Sequence, residues 1–262
     1  MPRRARLFEM HDLVGCPRVW RDALTDFMSY FARAFDPYGV VAGRLWEAMR
    51  RSGTRDIVDL CSGAGVPALA MQEDLAKAGF PVRVTLTDKY PNLDAFRKRK
   101  KEKPETVDFL EAQVDALNVP SRLKGFRTLF TSFHHFDPAS ARGILRDALE
   151  KRRGIGVFEY TERNLFIWGL ALLLTPLYVW IVAPWIRPFR WKLLLWTYLL
   201  PVIPLIGVWD GFVSCLRTYS PRDLEEMIRD LDAPDYVWET GRVRSIGLCR
   251  VTYLLGYPDR AA

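Results

Sequence analysis

Hydrophobic positions change their spacing along the chain, and each change marks a different kind of element. From 18 to 50, "RVWRDALTDFMSYFARAFDPYGVVAGRLWEAMR" sets Trp20, Ala23, Leu24, Phe27, Tyr30 and Phe31 at helical intervals, with a break expected at Asp36-Pro37. From 56 onward short strand-like runs take over: "DIVDL", "VRVTLTD", "TVDFLEAQVDA", "FRTLFTSF" and "GIGVFEY", mostly separated by stretches able to form helices. That alternation predicts an α/β fold with a doubly wound, mostly parallel sheet. Two long uncharged runs follow, at 165–186 and 193–209. Beyond them "SPRDLEEMIRDL" reads as a helix with Ser220 as N-cap, Pro221 in the first turn and Asp223 as the capping-box acid. The chain closes on "DYVWETGRVRSIGLCRVTYLLGYP", two strands expected to pair as an antiparallel hairpin on the sheet edge. The segments are therefore a helical N-terminal cap (1–54), a core (55–163), an apolar helical-hairpin insertion (164–209) and the remainder of the core (210–262).

Composition narrows the function classes only slightly. A chain of 262 residues suffices for one large α/β domain and thus one catalytic unit. A net charge of +7 suits an anionic partner, yet many enzymes are this basic. The basic residues are not interleaved with an aromatic stacking platform, so no nucleic-acid partner is expected. The run "RKRKKEK" at 97–103 reads as a solvated face, with anionic lipid headgroups as the alternative contact. Cys16, Cys61, Cys215 and Cys249 lie far apart, without the spacing of a zinc site, and read as reduced thiols; no metal is expected. The opening "MPRRARLFEMHDLVG" lacks the apolar core of a secretory signal.

The stretch richest in chemistry is "IVDLCSGAGVPALA", 57–70. An apolar strand ending at Asp59 runs into Gly63 and Gly65, and a helix-prone segment follows. Such glycines let backbone approach a ligand, and the helix start offers free N–H groups to an anionic end. Read strictly, Gly63, Gly65 and Ala68 match the dinucleotide fingerprint, with Asp88 at the distance of its ribose-binding acid. Against that reading, Asp59, Leu60, Cys61 and Ser62 precede the first glycine, and a third acid, Asp115, stands at the expected end of the next strand.

This set resembles the class I S-adenosylmethionine-dependent methyltransferases. Their first motif, an acid followed by a glycine-rich turn, is similar to Asp59 with "CSGAG"; their ribose-binding acid is matched by Asp88 in "VTLTDKYPN", and their adenine-side acid by Asp115. The resemblance implies S-adenosylmethionine as cofactor, a Rossmann-like sheet, and contacts from Asp59, Ser62, Gly63, Gly65, Asp88, Lys89, Asp115 and Ala116. It covers about 55–162 and resumes near 210. Pro67 departs from the family, standing where a glycine or small residue is more usual. "SFHHFDPASARGILRDAL" resembles the His-His turn of members acting on small molecules, which offers His134 or His135 as a base near its working pKa. The alternative has His134 packing the turn and His135 capping the next helix. Glu159 and Tyr160 are expected on the acceptor side, Glu159 either taking a proton or pairing with an arginine.

The insertion changes the picture. As helices its two runs reach about 33 and 26 Å, against a hydrocarbon core of about 30 Å. Twelve Leu, Ile, Val or Phe residues in the first run favour lipid by roughly 4 to 7 kcal/mol. Two crossings would place Arg187, Arg190 and Lys192 outside, against the positive-inside tendency. Pro176, Pro184, Pro188, Pro201 and Pro204 are expected to interrupt the helices. Six of the nine tryptophans lie between 168 and 209, suited to the interface. The expectation is therefore a monotopic or re-entrant anchor at 165–209, on the cytoplasmic side of a membrane, and a hydrophobic or lipid-like acceptor. A buried cap or homodimer interface is the competing use of the same runs. An NAD(P)-dependent oxidoreductase and a non-catalytic, membrane-bound cofactor-binding module are the competing functions.

Overall fold

The structure is a computed structural model that describes residues 4–5, 7–13, 15–187 and 189–260; Pro188 and parts of the "MPRRAR" opening lie outside them. The chain divides into two compact units, a sheet unit of Asp36–Tyr160 with Tyr219–Ala262 and a helical unit of Met1–Phe35 with Thr161–Thr218. The first helix of the expected cap thus falls with the apolar segment and the second with the sheet.

In the sheet unit, strands β1 (Asp56–Asp59), β2 (Arg83–Leu86), β3 (Val107–Phe109), β4 (Phe126–Phe130), β5 (Ile155–Glu159), β6 (Tyr236–Arg244) and β7 (Arg250–Pro258) form one sheet in the order β3-β2-β1-β4-β5-β7-β6. The first five pair in parallel, and β7 runs antiparallel to both β5 and β6. The hairpin is as expected, but its second strand enters the sheet interior and only β6 forms the edge. β3 is shorter than its apolar run suggested: pairing stops at Phe109, and Asp115 stands in a loop six residues further on rather than at a strand end.

Helices α2 (Ala42–Arg51), α3 (Val66–Lys77), α4 (Leu93–Glu102), α5 (Pro138–Glu150) and α9 (Pro221–Ile228) flank the strands. One apolar core holds Leu45, Met49, Leu75, Phe96 and Phe158, and the other holds Leu129, Phe133, Ile144, Leu145 and Leu254. Strands buried on both faces explain the unbroken burial of β4 and β5. The capping box on α9 forms as the sequence indicates, Ser220 and Asp223 each satisfying the other's backbone N–H.

In the helical unit, α1 (Arg18–Phe35) ends just before Asp36, whose φ of +41° makes the expected break. α6 (Leu165–Val182) runs on through a 3₁₀ turn at Ala183–Trp185. α7 (Trp191–Leu194) passes into a π turn at Leu195–Leu199, and α8 (Val202–Arg217) follows. Pro176 does not break α6, because the helix continues past the one hydrogen bond that the proline removes. The break falls at Pro201, where the second apolar run bends by 78°. By length and composition Phe166–Trp185 is long and apolar enough to cross a membrane.

Ala23 and Phe27 of α1 pack with Val179, Val182, Leu193 and Ile203 of the apolar runs. Trp20 meets Trp196 edge-on at 5.4 Å, and the Tyr178 hydroxyl donates to the Phe27 carbonyl at 2.8 Å. The polar residues of α8 all fall in its second half. Its Asp210 accepts from the backbone N–H of Met10 at 2.6 Å and meets His11 Nδ1 at 2.8 Å, while Arg217 donates to Glu9 at 2.8 Å and Asp12 at 3.0 Å. These contacts bind the segment before α1 to the charged end of α8.

Gly65 and Gly63 give the fold its sharpest test. Both have positive φ, but a Cβ on Gly65 would lie 2.8 Å from Leu86 Cδ1, whereas on Gly63 it would meet nothing within 4 Å. Gly63→Ala should cost only the backbone penalty, about 1–2 kcal/mol, and Gly65→Ala that plus overpacking of about 1–3 kcal/mol. Urea denaturation of the two variants should separate them by that margin.

Candidate active site

The turn between β1 and α3 is fastened from two strands. Leu60 N–H donates to the Thr128 carbonyl at 2.9 Å, prolonging the β1–β4 ladder, and Ser62 N–H donates to the Thr87 carbonyl at 3.0 Å. Thr87 answers with its N–H at 2.9 Å and its hydroxyl at 2.7 Å, both to the Asp59 carbonyl, which also accepts from the Ser62 hydroxyl at 2.9 Å. Cys61 and Gly63 then turn through positive φ, and Gly65 caps α3 with φ +72°. Pro67 falls in the first turn of that helix, where the N–H it lacks has no partner within the helix. The departure from the family motif therefore leaves the helix intact but removes one donor from its start.

Around this turn the structure places three of the expected acids, Asp59 at the end of β1 and Asp88 and Asp115 on the segments after β2 and β3, each in a different electrostatic state. Asp59 is buried, with Oδ1 accepting from the Thr128 hydroxyl at 2.6 Å. Burial pushes its carboxyl up to about 7, against the pull of the hydroxyls of Thr128 and Ser62. Asp88, just past β2, accepts from Gly63 N–H at 2.9 Å and Tyr90 N–H at 2.9 Å. Burial raises its pKa too, and those backbone donors moderate the rise. Asp115 arrives on its loop because Val114 N–H donates to the Asp88 carbonyl at 2.9 Å. Its Oδ2 accepts from Lys89 Nζ at 2.7 Å, a bond that lowers its pKa. Lys89 is exposed and Ala116 buried.

The turn after β4 is organised by Glu159. This buried carboxylate accepts from the backbone N–H of Phe133 at 2.8 Å and of His134 at 3.2 Å, and its Oε2 lies 2.7 Å from His134 Nδ1. Burial alone would raise the Glu159 pKa; the contacts with His134 outweigh it and hold the carboxyl below its ordinary value. Glu159 thus pairs with a histidine, a partner not considered from sequence. His134 is 1% exposed and its ring sits 4.4 Å from that of His135, which is half-buried. His135 does not cap α5: Asp137 does, accepting from Ala139 and Ser140 N–H, each at 3.0 Å. Tyr160 is half-buried, its ring 6.2 Å from that of Tyr38, whose hydroxyl bonds to Thr131.

Several positions escaped the sequence reading. Thr87, Thr128, Thr131 and Tyr38 carry ordinary polar groups whose role depends on strand register. Arg99, within the basic run 97–103, is not solvated: it is buried and donates to the Ala64 carbonyl of the glycine turn at 3.3 Å. Only its place on the apolar-facing stripe of α4, three residues after Phe96, marked it out.

Asp59 gives a pH signature. Its folded pKa lies above the ordinary value of 3.8, so the folded state binds the extra proton and stability falls as pH rises from about 4 to about 7. Asp59→Asn mimics the protonated form. The melting temperature of the variant should gain on the wild type through that window and keep its lead above it. Glu159, with a lowered pKa, acts below the window, its stabilisation fading as the carboxylate is protonated.

No protein-family model matches the chain, and no curated protein matches it in sequence. Solved structures do match. An O-methyltransferase family protein from Burkholderia thailandensis is 16% identical with a TM-score of 0.52, over 92% of this chain and 60% of that one. An O-methyltransferase of neocarzinostatin biosynthesis, solved with S-adenosylmethionine and 2-hydroxy-5-methyl naphthoic acid, is 13% identical with a TM-score of 0.54, over 94% and 61%. The plantazolicin methyltransferase, solved with S-adenosylhomocysteine, is 12% identical with a TM-score of 0.53, over 91% and 95%. The chain spans about 60% of the length of the first two. The dinucleotide-binding fold orders its parallel strands 3-2-1-4-5-6, whereas here antiparallel β7 follows β5. The fold of this chain is that of the class I S-adenosylmethionine-dependent methyltransferases.

Proposed function

We propose that the protein is an S-adenosylmethionine-dependent methyltransferase held at a membrane surface, acting on a hydrophobic small molecule or lipid. One observation carries the cofactor assignment: the Asp88 carboxylate closes on Gly63 N–H, with Asp59 and the Lys89–Asp115 pair at the same sheet edge. The open space over Gly63 suits close approach of a ligand to backbone, and Asp88 suits a pair of ribose hydroxyls. When bound, the cofactor supplies an electrophilic methyl group on a sulfonium. The chain's part is to hold the acceptor in line and keep water out, so no nucleophilic triad is required. Glu159 fixes the turn 133–135 and orients His134 through Nδ1, and the half-buried His135 is assigned the removal of a proton from a hydroxyl acceptor.

Membrane docking is supported by what the helical unit leaves uncovered. Phe166, Leu173, Ile181 and Trp185 are 64, 69, 61 and 65% exposed, and Trp191 and Leu199 are 62 and 73% exposed. The exposed residues of α6 recur at helical spacing, which makes a stripe, and contiguous apolar surface beyond a few hundred Å² marks an interaction site. The 78° bend favours a re-entrant anchor over two straight crossings. α6 starts six residues after β5 ends, so the docking segment is joined directly to the strand that carries Glu159.

Calorimetric titration should give micromolar or tighter binding of S-adenosylhomocysteine, weakened at least about tenfold, or 1.4 kcal/mol, by Asp88→Ala, with no heat from NADH. Binding of NADH instead overturns the cofactor assignment. In flotation assays the detergent-free protein should rise with vesicles, and Leu173→Ser/Ile181→Ser/Trp185→Ser should remain in solution. A wild-type dimer that ignores vesicles would give the apolar stripe to a second copy of the chain.

A further inference from the structure

The sheet edge opposite the glycine turn carries a second concentration of chemistry. The loops entering β1, β4 and β5 meet the end of β7 around a cleft of about 180 Å³. Lys124, Arg152, Arg153 and Arg260 line it, and among the described residues no carboxylate does. The neighbouring acids are already engaged. Asp56 accepts from Arg83 at 2.8 Å, Asp259 is paired with Arg51, and Asp147 holds Arg127 at 2.8 Å and Lys151 at 2.5 Å. Arg152 reaches the Pro234 carbonyl at 2.8 Å and Asp235 at 3.7 Å. Among the described residues, Lys124, Arg153 and Arg260 have no ion-pair partner. Burial lowers the pKa of nearby Arg127, its partner Asp147 opposes the shift, and Arg153 adds a small push in the direction of burial.

Shape and lining narrow the ligand. Gly125 and Gly154 contribute backbone to the lining, a Cβ on either being directed at Val58 or Phe126, and the Arg260 guanidinium lies over Gly53, 3.8 Å from where a Cβ would stand. The Ser52 hydroxyl donates to the Met49 carbonyl at 3.0 Å, while that of Thr54 accepts from Asp56 N–H at 3.2 Å and keeps its own proton to donate. Recognition falls chiefly to the cations. Among the described lining residues Pro258 is the sole apolar side chain, so nothing there would receive an acyl chain. Crowded like charges are relieved when an anion enters, and the planar fork of arginine matches phosphate oxygens in pairs. We propose that this cleft binds a small, soluble phosphate-bearing anion, at a site separate from the cofactor turn by the length of the β1 strand.

The test uses the full chain and inorganic pyrophosphate, with ionic strength held constant by sodium chloride. Pyrophosphate should raise the melting temperature saturably, and Arg153→Gln/Arg260→Gln should weaken its apparent affinity about tenfold or more. Arg260→Gln alone, at an exposed position, should show part of that loss and guards against misfolding of the double variant. Titration of S-adenosylhomocysteine in the same samples should be unchanged, so that failure of the cofactor assignment and failure of this site are read separately. No saturable rise, or an equal rise in wild type and the double variant, overturns the proposal.

Discussion

The Asp59 carbonyl is the point on which the candidate active site depends. One oxygen atom accepts from the Thr87 N–H, the Thr87 hydroxyl and the Ser62 hydroxyl, and so joins the ends of β1 and β2 to the first half of the glycine turn. The backbone cannot then relax the positive φ values at Cys61 and Gly63 without breaking bonds in a buried setting, where an orphaned donor costs about 1–3 kcal/mol. Rigid placement of Gly63 N–H in turn fixes Asp88, and the Asp88 carbonyl fixes the loop that carries Asp115. A series of short-range bonds thus sets three carboxylates at or beyond the ends of adjacent strands, one mostly shielded, one held by backbone donors and one neutralised by Lys89.

Much of this arrangement is legible in the sequence, for physical reasons. Alternation of short apolar runs with helix-prone segments encodes layering, since each strand must be covered on both faces, and Ser220 and Asp223 encode their own cap. The acids at Asp59 and Asp88 are readable because a strand end is a fixed address. Asp115 was readable by type but not by position, because the apolar content of "TVDFLEAQVDA" continues past the point where pairing with β2 stops. What the sequence could not reveal depends on contacts between distant strands: Thr128 beneath Asp59, Thr131 against Tyr38, and Glu159 turned toward His134. Arg99 was hidden by its neighbours, for five basic residues in a row look alike until one of them faces the protein.

The helical unit shows a division of labour within single elements. α8 begins apolar and ends in Asp210 and Arg217, each satisfied by the segment before α1. Burying those charges is tolerable only because their partners are present. α1 serves the opposite purpose, covering one side of the apolar runs with Phe27 and Trp20 while its own outer face carries Arg21, Asp22 and Arg33. The uncovered side is therefore a defined stripe, and the polar contacts at the far end of α8 limit how deep a non-polar phase could extend along it.

The bend at Pro201 has a mechanical consequence for the proposed docking. A body that turns back on itself adds cross-section to the leaflet it enters and none to the opposite one. Such one-sided insertion is easiest where headgroups are already splayed, on convex surfaces and in bilayers with packing defects. The angle between two short helices would then decide which regions of a membrane the protein occupies, and a sharper or shallower bend would redistribute it without touching a residue of the candidate site.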